Sequence, residues 1–250
     1  MSRRQGTVFA IGGGGFADPK KRLVLDRELF RLSGKTHPRM LVIPTASGDK
    51  EPQWQLLHFG GRLGCRIDVL NLLHEKPSLQ ELRKRILGAD IIFVGGGNTY
   101  RMLKIWKRRG VDRILKEAYQ RGKVLAGISA GAICWFQHGN SDSRKKHPKD
   151  KTLIRVSGMS WLDGFLCPHY DSEPHRQLSL KNMMRKSSEV AIALEDFCGI
   201  EVSNGAYRIV AEPGKKAYRI FWQGGKYYRE VILQATKWAS FHHLVHKPRS

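Results

Sequence analysis

Short apolar runs alternate with amphipathic stretches through the first two-thirds of the chain, and several of those runs stop at glycine or proline. A run of five or so apolar residues is too short for a buried helix and suits a strand covered on both faces. Strands of that kind need helices as crossovers and as covers, so the pattern calls for βα units around a largely parallel sheet. Thr7-Val8-Phe9-Ala10-Ile11 precedes four glycines, and Arg39-Met40-Leu41-Val42-Ile43 precedes Pro44. Asp90-Ile91-Ile92-Phe93-Val94 ends in Gly95-Gly96-Gly97-Asn98-Thr99, and Lys123-Val124-Leu125-Ala126-Gly127-Ile128 ends at Ser129. Residues 66–70 read as another strand, and residues 53–63, 100–108 and 130–136 as helical. Ser78 with Glu81 three positions on is a capping box that opens a further helix.

After about residue 205 the texture changes. Residues 207–211, 218–222 and 227–233 are strand-like, and the turns Glu212-Pro213-Gly214-Lys215 and Gln223-Gly224-Gly225-Lys226 separate them. They read as antiparallel hairpins added to the same domain. Residues 140–151 are polar and basic, hence a loop, and residues 235–250 read as a mobile basic tail. The expected organisation is one domain over residues 1–250, with its core at about 6–234.

Composition narrows the class. Hydrophobic residues make up 41% and charged residues 26%, as in soluble globular proteins, and no apolar run reaches the roughly 18 residues needed to span a bilayer. The first apolar run is too short for a signal peptide, so the expected location is cytoplasmic, away from membranes. Four cysteines (Cys65, Cys134, Cys167, Cys198) are far apart and form no C-x-x-C pair, which reads as reduced core thiols. Lys and Arg number 44 against 22 Asp and Glu, a net charge of +22 that attracts phosphates, acidic membranes or acidic substrates.

Gly127-Ile128-Ser129-Ala130-Gly131 fits G-x-S-x-G at the end of an apolar strand and the start of a helix-compatible run, the context of a nucleophile elbow. The glycines let a serine sit on a tight strand-to-helix turn where flanking side chains would collide. A small-residue βα turn with Ser129 as a helix cap gives the same string. Gly95 to Thr99 closes a neighbouring strand, and its backbone N–H groups could form part of an oxyanion hole with that of Ala130. Gly12 to Gly15 lacks the spacing of a dinucleotide fingerprint, and Gly34-Lys35-Thr36 is no P-loop because Leu29 stands where its first glycine belongs.

Cys167-Pro168-His169-Tyr170-Asp171-Ser172-Glu173-Pro174-His175-Arg176 offers two readings. His169 is a general base for Ser129, with a carboxylate orienting its ring. Alternatively His169, Asp171, Glu173 and His175 ligate a metal in a metal-dependent hydrolase, although their spacing matches no strong zinc pattern. Glu195, Asp196 and Asp142 are the candidate carboxylates, and their order along the chain does not choose among them. A third class, a basic nucleic-acid-binding protein with a vestigial hydrolase site, follows from the charge and the run Arg144-Lys145-Lys146-His147-Pro148-Lys149, but no RNA- or DNA-binding module signature accompanies it.

The glycine-rich strand end at 95–99, the elbow Gly127 to Ala132, Pro168-His169 and Val202-Ser203-Asn204-Gly205 occur in the same order as in peptidase family S51, which contains aspartyl dipeptidase (peptidase E) and cyanophycinase. The resemblance spans about residues 8–233. It implies a three-layer α/β fold with a mostly parallel sheet, similar to class I glutamine amidotransferases, that works without a cofactor or metal. It implies a serine peptidase with Ser129 as nucleophile, His169 as base, Asp196 favoured as the acid with Asp142 a rival, and an oxyanion hole from Gly97 and Ala130. Asn98, Thr99 and Arg176 would hold the acidic N-terminal residue of a dipeptide. The expected partner is a small peptide, with a homodimer allowed.

Overall fold

A computed structural model of the chain describes residues 5–15, 22–50, 56–145, 147, 150–234 and 237–248. Its larger sheet is built from the expected apolar runs: β1 (Thr7–Ile11), β2 (Arg39–Ile43), β3 (Arg66–Val69), β4 (Ile91–Val94) and β5 (Val124–Ile128). These five strands are mutually parallel in the order β1-β5-β4-β2-β3. Alternate residues of each strand serve opposite faces, as a period of two requires. Phe9, Ile11, Val42 and Phe93 pack with Leu25 and Leu29 of α1 (Leu23–Ser33) and with Phe59 from a π-helical turn, Leu56–Arg62. Val8, Ala10, Leu41 and Val94 face α2 (Leu79–Gly88), α3 (Thr99–Arg109) and α4 (Val111–Gln120), which contribute Ile86, Trp106 and Leu115.

The division of helices follows from crossover handedness. The chain moves outward from β1 to β2 to β3 and then returns through β4 to β5, and right-handed crossovers in opposite directions place their helices on opposite faces. The result is a helix–sheet–helix stack with the carboxyl ends of β1, β5 and β4 along one rim, where open α/β sheets hold ligands. The helix over residues 53–63 is present as the π-helical turn, and residues 53–55 lie outside the described residues.

Four expectations are corrected. The elbow helix α5 covers only Ala130–Ile133, because Phe136–Ser141 is a strand, β6, rather than more helix. That strand belongs to a second sheet absent from the sequence reading, in the order β13-β12-β9-β8-β6-β7. Its members are β6, β7 (Ile154–Ser157), β8 (Leu162–Cys167), β9 (Ala191–Leu194), β12 (Ala217–Gln223) and β13 (Lys226–Ile232), with α6 (Pro174–Arg185) packing Leu180 and Met184 on its outer face. The strands after residue 205 do not form one hairpin series. β11 (Ala206–Ala211) pairs with β10 (Cys198–Ser203) in the first sheet, and only β12 and β13 form a hairpin in the second. Finally, the expected tail contains β14 (Ala239–Ser240) on the edge of the first sheet and α7 (Phe241–Val245). Phe241, Leu244 and Val245 are buried in the core that both sheets share. All four cysteines are buried and unpaired, and burial pushes the Cys65 and Cys167 thiols up to about 12.

Because Phe241 packs against Phe136 with ring centroids 6.5 Å apart, the C-terminal segment fastens the two sheets together. Phe241→Ala should cost about 3 kcal/mol in chemical denaturation, the usual loss for a buried phenylalanine. A melting temperature equal to wild type would show that the segment is a tail after all.

Candidate active site

Ser129 follows β5 directly and takes φ 56° and ψ −110°, a conformation that β-carbons disfavour. The flanking glycines are obligatory. A Cβ on Gly127 would overlap the backbone of Gly131, and one on Gly131 would overlap the carbonyl of Val94. The first turn of α5 closes back on the nucleophile position, with Ala132 and Ile133 N–H donating to the Ser129 carbonyl at 3.0 and 2.9 Å. Gly96, at the end of the adjacent β4, faces the serine: a Cβ built on it would lie 3.4 Å from Ser129 Cβ. Gly97 has φ 133°, and Asn98 N–H donates to Ala46 O at 2.8 Å, which presses this loop against the turn after β2.

His169 emerges two residues after β8, with φ 52°. Its Nδ1 lies 2.7 Å from Asp196 Oδ1, and both side chains are about one-fifth exposed. Of the three candidate carboxylates, the structure therefore brings Asp196 to the imidazole. Glu195, its neighbour, turns to the opposite side, where its carboxylate accepts from Tyr218 Oη at 2.9 Å and from Lys216 N–H at 3.0 Å. Asp142 lies in the loop after β6 beside Ser143, which contacts the start of α3. The four-ligand metal reading is not supported by the placement of its residues: Asp171 pairs with Lys215, and His175 Nε2 faces Glu173 Oε2 at 3.5 Å. Among the described residues no group of three or more His, Cys, Asp or Glu is arranged so that it could hold a metal ion.

The end of β1, which sequence reasoning set aside, organises the site. Ile11 O accepts from Ser129 N–H at 3.1 Å, Gly12 O from His169 N–H at 3.3 Å, and Gly13 O from Phe197 N–H at 3.1 Å. Three consecutive carbonyls thus hold the three segments that carry Ser129, His169 and Asp196. A Cβ on Gly13 would overlap both Asp196 Oδ1 and the His169 ring. The run of four glycines after the first strand was the available signal: backbone there must touch side chains closely. Asp171 adds a brace, since its Oδ1 accepts from Asp196 N–H at 2.8 Å and its Oδ2 from Lys215 Nζ at 2.6 Å. Partial burial works against the Asp171 carboxylate, yet these two donors outweigh it and hold its pKa below the usual carboxylate range.

Of the residues expected to bind substrate, Asn98 and Thr99 are committed to bonds inside the protein. Asn98 caps α3, its Oδ1 accepting from Arg101 N–H at 2.8 Å and its Nδ2 donating to Ser143 O at 2.8 Å. Thr99 is fully buried, and its hydroxyl accepts from Ser141 Oγ at 3.2 Å. Arg176 is 3% exposed and donates from Nε to Glu173 at 2.7 Å and from Nη1 to Asn140 O at 2.8 Å, which leaves Nη2 outside these bonds.

Ser129 on its elbow and the His169–Asp196 pair are fastened to successive carbonyls of one strand end, and comparison with known proteins identifies the family. The sequence pattern of peptidase family S51 matches residues 8–210. The chain belongs to peptidase family S51. It is 36% identical over 217 residues to YgaJ, an uncharacterized peptidase of Bacillus subtilis (strain 168), covering 85% of this chain and 91% of that one. Peptidase E of Salmonella newport (strain SL254) is 30% identical over 128 residues, 47% of this chain and 53% of that protein. In structure, a peptidase from an acI-B1 Actinobacterium superposes with a TM-score of 0.70 at 19% identity, over 96% of this chain and 98% of the other, which shows a shared fold.

Two outcomes check this geometry. Gly13→Ala should leave a folded protein that has lost about a hundredfold or more in peptidase rate, because displacing a positioned base by about 1 Å is that costly. A fully active Gly13→Ala protein would refute the carbonyl row as an organiser. Because Asp171 has a lowered pKa in the folded state, the stability it supplies is complete above its unfolded value and is lost as pH falls through the folded one. Lys215→Met should therefore shift the acid limb of an unfolding-versus-pH curve to higher pH, and an unmoved limb would remove the brace.

Proposed function

We propose that this family S51 peptidase hydrolyses short peptides through an acyl-enzyme, with Ser129, His169 and Asp196 as its triad. The supporting observation is the 2.7 Å contact between His169 Nδ1 and Asp196 in a segment fastened to the same strand end as the strained Ser129. With Nδ1–H donated to Asp196, the other ring nitrogen, Nε2, is left as the base. Ser129 Oγ attacks the scissile carbonyl carbon while its proton passes to His169 Nε2. The tetrahedral oxyanion is received by the N–H groups of Gly97 and Ala130, on the two loops that meet at Gly96 and Ser129. Collapse breaks the C–N bond, and the departing amine takes the proton from His169. Water then repeats the sequence on the ester, returning Ser129 and releasing the acid.

The reading extends to a dipeptidase preference for an acidic N-terminal residue. Arg176 supports it, because its guanidinium is fixed by Glu173 and Asn140 and keeps Nη2 for a carboxylate. A charge-assisted contact of that kind contributes about 1.5–3 kcal/mol. Asn98 and Thr99 act in this scheme as supports for the oxyanion loop through α3.

A panel of Asp-X, Glu-X, Leu-X and Ala-X dipeptides tests both layers. Ser129→Ala should lower turnover by about 10⁴-fold or more, and Asp196→Asn by about 10⁴-fold, since triad members act as a unit. Glu195→Gln should retain activity. Arg176→Met should reduce the rate on Asp-X by roughly ten- to a hundredfold relative to Leu-X. Equal rates on acidic and neutral dipeptides would end the specificity claim and leave the mechanism intact, whereas an active Ser129→Ala would end the mechanism.

A further inference from the structure

A groove of about 1050 Å³ lies between α3, α4 and the segment from β7 to Trp161, and its lining includes none of Ser129, His169 and Asp196. Its rim carries Lys104, Lys107, Arg113, Lys116 and Arg144 against one carboxylate, Asp112. Among the described residues none of these five cations forms an ion pair, in contrast to Arg155 on the same wall, which Glu189 neutralises. The charges recur three positions apart on each helix (104 and 107, 113 and 116), so they line one edge as neighbours. Below them Leu103, Ile154 and Met159 are half-buried and reach the groove, the Trp161 ring is already covered by Tyr119 and by the Lys116 ammonium 5.0 Å from its centroid, and the exposed Tyr100 supplies an aromatic ring on the lining. A second depression of about 490 Å³ shares Lys107 and Arg113 and adds Arg108, so the basic track continues past the junction of α3 and α4.

This combination selects a ligand class. The groove is at the upper limit of pockets that enclose a drug-sized molecule, and its continuation exceeds it, which favours a polymer. An acidic peptide would satisfy the rim and could lay apolar side chains on the floor, but it lacks a flat face repeating in step with its charges. Its planar carboxylates also favour arginine forks, whereas half of the six unpaired cations named are lysines, which bind phosphate as point charges. Single-stranded nucleic acid supplies both halves, with phosphates for the rim and flat base faces for the floor. We propose that this groove binds single-stranded nucleic acid through its phosphate backbone, without reading sequence, as a function separate from the peptidase site. The net charge of +22, far more than recognition of one carboxylate needs, is the long-range counterpart of that track.

The test is fluorescence anisotropy with the full chain and a labelled 20-nucleotide oligouridylate, competed by the matching duplex, inorganic polyphosphate and poly-L-glutamate. The expected result is micromolar affinity near 0.1 M salt with a log–log salt slope of about −3 to −4, as five phosphate contacts to a single strand predict. The competitors should be weaker per unit charge. Lys104→Glu, Lys107→Glu and Arg113→Glu combined should weaken binding by about tenfold or more and flatten the slope. Arg66→Glu, Lys84→Glu and Lys226→Glu, exposed positions away from the groove with the same change in net charge, should cost clearly less. Circular dichroism and thermal melts report folding of both variants independently of peptidase activity. Absent saturable binding, equal competition by poly-L-glutamate or polyphosphate, equal affinity for the duplex, or equal losses in the two variants would each overturn the proposal.

Discussion

Strand β1 ends in three carbonyls that each accept a hydrogen bond from a different segment, and the arrangement of the site depends on that convergence. β1 lies between β5 and β10, so Ser129 reaches it from one side and the segment of Asp196 from the other, while His169 arrives from β8 in the second sheet. Magnitudes show what supports the convergence. The three bonds contribute about 0.5–1.5 kcal/mol each. Ser129, His169 and Phe197 all have φ between 52° and 60°, and such backbone costs of order 1–3 kcal/mol per residue. At mid-range the bonds offset only about half of that strain. The remainder comes from the fully buried Val8, Phe9, Ala10 and Ile11, whose side chains lock β1 between two helical layers. Burial of the strand thus holds the segments of Ser129, His169 and Asp196 in place.

Much of this was legible in the chain itself, and the physical reason differs from element to element. The central strands are buried on both faces, so they appear as uninterrupted apolar runs, and the elbow shows itself because two glycines are forced by backbone contact. The second sheet was only partly legible, through its hairpin β12–β13, and its strand β6 was hidden for the opposite reason. β6 reads Phe-Gln-His-Gly-Asn-Ser, and its polar residues are taken up by Glu189, Ser179 and Arg176 from other elements, which no local pattern records. The turn Glu212-Pro213-Gly214-Lys215 looks like a hairpin loop yet carries the chain from one sheet to the other, with Glu212 accepting from the first N–H groups of α1. In the C-terminal segment, Phe241, Leu244 and Val245 stand at helical spacing, but the surrounding basic residues mask so short a signal.

The choice between Glu195 and Asp196 shows the limit most plainly. Both follow β9, one residue apart, and neighbouring residues at a strand end point to opposite sides. Which side holds the histidine depends on where β8 lies relative to β9, a tertiary fact. Once β8 and β9 pair in parallel, with Cys167 opposite Ala193, His169 and Asp196 emerge from the same rim and Glu195 turns to Tyr218.

The charge of the molecule is distributed in a way that separates its two surfaces. Around the His169–Asp196 pair, carboxylates balance cations: Asp171 meets Lys215, Glu173 meets Arg176, and Glu195 is adjacent in the chain. On α3 and α4, Lys104, Lys107, Arg108 and Arg113 form no ion pair among the described residues. At physiological salt, charges more than about 8 Å apart in solvent are largely screened, so a surface cation acts on a ligand chiefly where the two lie close together. The surplus charge acts outward, on the rate and salt dependence with which polyanions meet the surface.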